Sequence, residues 1–138
     1  MKSKGLIIAI LLTLIANISF GQLTKFKSTS YATKFKNEYT GNWGKWSAFE
    51  ETEVLITIDV TNDRIKIFSK KEQVYDIIKY YDLETDSDGD ETLQFHCVNE
   101  DGLKCFVRFV VLNSRNGRRQ LYVDFADMMW VYNIYKLD

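Results

Sequence analysis

From Trp43 to Leu137 the chain repeats one pattern, runs rich in Ile, Val, Tyr, Phe and Thr that alternate apolar with polar and are cut at short intervals by Asn, Asp or Gly. A period of two sends successive side chains to opposite faces of an extended strand, and the interrupting residues are those that turns favour. The fold class is therefore all-β. Strands are expected at residues 43–50, 53–60, 64–69, 73–83, 91–99, 103–112, 118–126 and 129–137. Eight strands joined in succession by short turns make an antiparallel up-and-down meander. An open meander would present two unpaired edges, which closure into a barrel removes. The expectation is a single all-β domain over residues 22–138, a closed or nearly closed barrel.

Residues 22–42 fit the pattern less well. Tyr31, Phe35 and Tyr39 recur at a four-residue spacing that suits a helix, while the Ser and Thr between them suit an extended chain. This segment is expected to cap or edge the barrel. The triplet Gly41-Asn42-Trp43, just ahead of the expected first strand, is similar to the GxW motif that opens the lipocalin barrel. The resemblance spans these residues alone, and a ligand pocket does not come with it.

Ahead of the domain stands MKSKGLIIAILLTLIANISFGQ, with Lys2 and Lys4 followed by an uncharged apolar run from Leu6 to Ile15 and small residues near Gly21. This is the layout of a secretory signal peptide over residues 1–21, and the run is shorter than the roughly 20 residues of a membrane span. The ending SFGQ resembles the leaders of exported Bacteroidota proteins, which implies export to the periplasm or beyond. Loss of Lys2 and Lys4 deepens a net charge that is already −1, so the mature chain offers no basic field for nucleic acid. Proline is absent, and no linker divides the chain.

Both cysteines lie in CVNEDGLKC, Cys97 to Cys105. If Glu100-Asp101-Gly102 is a three-residue hairpin loop with Gly in the left-handed conformation, Cys97 faces Cys105, Phe95 faces Val107 and Leu93 faces Phe109. A slip of one residue would mix core with solvent face. Opposed cysteines in an oxidising compartment are expected to form a disulfide, with two reduced core thiols as the alternative. A metal site is disfavoured because His96, the only histidine, points to the other face. Arg115-Asn116-Gly117 repeats the loop chemistry and would set Val111 against Leu121, Phe109 against Val123 and Val107 against Phe125.

On the opposite face that register puts Arg108 against Asp124 and Gln94, with His96 beside Phe106. The three could be an acid/base cluster, but a cross-strand ion pair with an incidental histidine accounts for them, and no nucleophile or carboxylate pair accompanies it. The loop from Asp82 to Glu91 gathers Glu84, Asp86, Asp88 and Asp90 around Gly89 as a calcium loop would, yet lacks the Asp at position one and the Glu at position twelve of an EF-hand. Phe106, Val110, Leu112 and Tyr122 give the outer face an apolar excess, to be covered by the segment before Trp43 or offered to a partner. Trp43, Trp46, Tyr75, Tyr80, Tyr81, Trp130, Tyr132 and Tyr135 suit packing or ligand contact equally. Together these features describe an exported, non-catalytic binding or structural module of the cell envelope, without cofactor or metal. Its partner would be an envelope protein or a small apolar ligand. The alternatives are a lipocalin-like barrel carrying that ligand and an enzyme using His96 with Asp124. Mass spectrometry of the protein from its native host should find a chain starting at Gln22, and one that retains residues 1–21 would refute export by cleavage.

Overall fold

The computed structural model describes residues 23–137, so the leader and the expected start at Gln22 lie outside the described residues. Ten strands follow one another: β1 (Leu23–Phe35), β2 (Glu50–Glu51), β3 (Leu55–Asp59), β4 (Arg64–Ile67), β5 (Gln73–Tyr80), β6 (Glu84–Thr85), β7 (Glu91–Asn99), β8 (Lys104–Leu112), β9 (Arg118–Asp124) and β10 (Met128–Lys136). Eight of them close an antiparallel barrel in the order β1-β3-β4-β5-β7-β8-β9-β10, and β10 returns to β1. The short β2 and β6 pair with β1 and β7 outside that circuit.

The eight-stranded meander is thus present, but its first member is not the expected one. Residues 23–35, read as a cap or edge, form the longest strand of the barrel. Lys25 and Lys27 face out while Thr24, Phe26 and Ser28 are buried. A bulge between Ser28 and Ser30 then resets the parity, so that Tyr31 packs against the core. Polar inward residues and the bulge together hide the period of two. Ser28 is accommodated because its Oγ accepts from the Val54 amide at 2.9 Å.

The expected strand 43–50 is not a strand. After a tight reversal the chain runs back beside β1 with sparse pairing, Gly44 N donating to Phe35 O at 2.8 Å and Ser47 N to Thr33 O at 2.7 Å. A Cβ on Gly44 would sit 3.2 Å from Phe35 O, so glycine permits the close approach. Gly41-Asn42-Trp43 therefore follows the first strand instead of preceding it.

The β7–β8 hairpin has the expected register, with Gly102 at φ 80°. The β8–β9 hairpin does not. Asn113–Arg115 form a turn of 3-10 helix, and Asn116 and Gly117 both take positive φ, which lengthens the loop. Pairing moves by two residues, so Val111 faces Arg119, Phe109 faces Leu121, Val107 faces Val123 and Arg108 faces Tyr122. An even shift leaves every side chain on its expected face.

The barrel interior is filled. Phe26, Phe95, Phe109, Ile56, Ile58, Ile65, Ile67, Leu93 and Leu121 are fully buried, with Phe26 and Phe109 ring centroids 5.4 Å apart. Outside the barrel, Ala32, Val110, Gln120 and Val131 are also buried. Trp46 and Phe49 lie beside Gln120 and Val131, so the cover comes from residues after Trp43 and not from those before it. Truncating a ring at the centre of a packed barrel leaves a cavity, whereas Phe49 is half exposed. Phe109→Ala should lower stability by about 3–5 kcal/mol in urea unfolding. Phe49→Ala should cost under about 1.5 kcal/mol.

Candidate functional site

Cys97 and Cys105 face each other across β7 and β8, as the turn chemistry requires, but they are free thiols. The expected disulfide is absent. The Cys97 thiol turns along its own strand toward the Phe95 carbonyl, 3.8 Å away. Directly opposed residues also hold their Cβ atoms about 4.5–5.5 Å apart, wider than the roughly 3.8 Å a disulfide prefers. Burial raises both thiols, Cys105 to about 12, so neither carries appreciable thiolate at neutral pH.

Arg108 and Asp124 do meet, diagonally across the strands. Arg108 Nε donates to Asp124 Oδ2 at 2.5 Å and Nη2 to Oδ1 at 3.2 Å, a two-pronged pair that is largely shielded from solvent. The guanidinium lies 4.2 Å from the centroid of Tyr122. Trp46 meets the edge of Tyr122 at 6.0 Å, and the Lys34 ammonium sits 4.9 Å from the Trp46 centroid. Cations and rings thus alternate from β8 to β1, each contact contributing about 0.5–1 kcal/mol. Beneath Trp46, Tyr122 donates to Gln120, Gln120 to Asn133 and Asn133 to Ser30, a relay of 2.9–3.0 Å hydrogen bonds that satisfies the buried amide. Leu112 lines the same shallow cleft.

His96 takes no part in this chain. Its ring stacks on Phe106 at 4.8 Å, Phe106 in turn approaches Tyr81 at 6.2 Å, and no hydrogen bond among the described residues orients the imidazole. The Asp124 carboxylate is committed to Arg108. His96, Arg108 and Asp124 share a face without forming a relay that could move a proton.

The acidic loop is the tip of a hairpin. Asp86, Asp88 and Asp90 bring carboxylate oxygens within 4.8 Å of one another, while Glu84 lies in β6 opposite Thr92 and does not join them. Asp86 Oδ1 accepts the amides of Asp88 and Asp90, and Asp90 holds the amide and hydroxyl of Ser114. Two of the three carboxylates are therefore occupied in shaping the turn and fastening it to the β8–β9 loop.

Concave space opens at the end of the barrel where β5 and β10 begin and β7 ends. A cleft of about 360 Å³ is walled by Tyr75, Phe125 and Trp130, with Ser69, Gln73 and Asn99 on its sides and Lys71, Glu72, Glu100 and Asp101 at the rim. Phe125 and Trp130 rings lie 5.5 Å apart. Gln73 ties the floor together, its Oε1 accepting from Tyr75 Oη at 2.5 Å and its Nε2 donating to Ser69 Oγ at 2.9 Å and Tyr132 Oη at 3.3 Å. Burial raises the Tyr75 and Tyr132 phenols, so both stay protonated donors. In the sequence Tyr75 and Trp130 stand out only as two of many aromatics. The available signal was Gln73, a polar residue at a core parity at the start of a strand, which marks where the packed interior gives way to an open end.

Because the thiols are buried and protonated, a thiol reagent at neutral pH should leave native protein unmodified and label both cysteines once the chain is unfolded without reductant. Rapid labelling of folded protein would contradict the burial of Cys97 and Cys105. No family model, no curated protein and no solved structure matches this chain.

Proposed function

We propose that this chain is an exported, non-catalytic binding module that recognises its ligand on the surface of a filled barrel. The observation that carries the reading is the packing of Phe26, Phe95 and Phe109 across the barrel interior. A carrier of apolar molecules needs a hollow centre, and side chains occupy this one. A cleft at the barrel's mouth, where aromatic walls meet polar groups, offers such a surface.

The enzymatic alternative finds less support, since His96 stacks on Phe106 and Asp124 is held by Arg108. The acidic leader-free chain and the strands of β1 to β10 carry no basic field, which favours a protein or small-molecule ligand over nucleic acid.

An apolar fluorescent dye separates the readings. Folded protein should give no saturable enhancement, and His96→Ala should leave thermal stability and ligand binding unchanged. Stoichiometric dye binding to folded protein that is lost when Leu93 is enlarged to Phe would overturn the filled-barrel reading in favour of a carrier.

A further inference from the structure

Resting on that reading, we infer that the barrel-mouth cleft is a binding site for a neutral pyranose, a monosaccharide or one end of a glycan. The cleft is bordered by polar groups that the protein leaves without partners. Trp130 lines one wall and keeps its indole N–H buried, with no acceptor among the described residues. Asn99 spends its Oδ1 on the amides of Asp101 and Leu103, which leaves its Nδ2 free to donate. Lys71 at the rim adds an ammonium that has no ion pair among the described residues. Facing these donors are acceptors, the exposed carboxylates of Glu100 and Asp101, with Glu72 partly held by Lys66 at 3.7 Å.

Donors and acceptors of both charge signs stand around one aromatic wall. A hydroxyl donates and accepts at the same oxygen, so a polyol can pair with both sets at once. An organic cation would leave the Asn99 and Lys71 donors without work, and a carboxylate or phosphate would face Glu100, Asp101 and Glu72. The aromatic wall fits the same ligand, because the C–H face of a pyranose carries slight positive charge and the face of an indole or phenyl ring carries slight negative charge. A volume near 360 Å³ is at the small end for ligand clefts, which suits one or two sugar rings and not a long lipid.

The cleft is also prepared for occupation. Hydrogen bonds from Gln73 tie the floor to Tyr75, Tyr132 and Ser69, and Asn99 is locked by the turn it caps. Little side-chain ordering then opposes binding.

The test is a ¹H–¹⁵N NMR titration of the chain lacking residues 1–21 with glucose, N-acetylglucosamine, maltose and cellobiose. At least one should shift the Trp130 indole and Asn99 side-chain amide signals saturably, with a Kd of about 1 mM. Asp101→Asn combined with Glu100→Gln should weaken that binding about tenfold. Both residues are exposed, so the fold survives the change. Phe49→Ala, on the outer face, should leave the affinity as it was. The inference is overturned if none of the four sugars shifts these signals saturably, if glycerol shifts them equally, or if tetramethylammonium or acetate does so in their place. Failure here with no apolar dye bound would remove the pyranose and leave the filled-barrel reading standing, whereas dye uptake into the barrel would remove both.

Discussion

Everything in this structure depends on β1 being paired along both of its edges. One edge carries β10 from Phe26 to Phe35, and the other carries β3, then β2, then the looser run back to Trp43. With β1 in place the eight barrel strands each have a neighbour on both sides, and their inward side chains face one another. Without it, β3 and β10 would be exposed edges and Phe26 would leave a gap against Phe109. The bulge at Thr29 lies where the second partner of β1 changes from β3 to β2, and the change of parity turns Tyr31 toward the core.

Closure also decides where recognition can take place. Eight strands leave room for side chains or for one small ligand, and here Phe26, Phe95 and Phe109 take that room, which leaves the outside and the two ends. On the outside, Trp46 and Phe49 cover Val131 and Gln120, and the Lys34, Trp46, Tyr122 and Arg108 contacts fasten that cover across β1, β10, β9 and β8. These aromatics are engaged with the protein itself. At the mouth, Trp130 and Phe125 are engaged with each other and still bound a cleft.

How much of this could be read from the residues follows from how strongly each signal is imposed. Strands with clean alternation, such as β7 and β8, were readable to the register, because Gly102 at positive φ admits few loop geometries and a slip would bury Arg108. The β8–β9 register lies two residues from the one its loop residues suggest, because Asn116 as well as Gly117 takes positive φ, and a side chain there gives no warning that the loop starts at Asn113. The error left the faces intact, which is why Arg108 and Asp124 were paired correctly from an incorrect register. β1 was invisible for the opposite reason: its inward residues include Thr24 and Ser28, which are polar, and its parity changes at the bulge. The disulfide failed at the finest scale, since opposition of strands brings thiols near each other without setting the side-chain torsions that a bond needs. Of the mouth, single residues were readable, but their convergence required the closed topology.

The long-range pairing of β1 has a consequence for the order in which the molecule comes together. Seven of the eight barrel strands can be added as hairpins with the strand just before them, a sequence of local steps. The seam between Phe26 and Lys136 joins the two extremes of the domain. Contacts that close so large a loop form slowly and late, since the entropy of the intervening chain opposes them until the rest is assembled. The seam is therefore the contact whose closure the chain entropy opposes most, and a chain in which it is still open is a curled ladder with β1 and β10 bare, the form in which this protein is most prone to associate with itself.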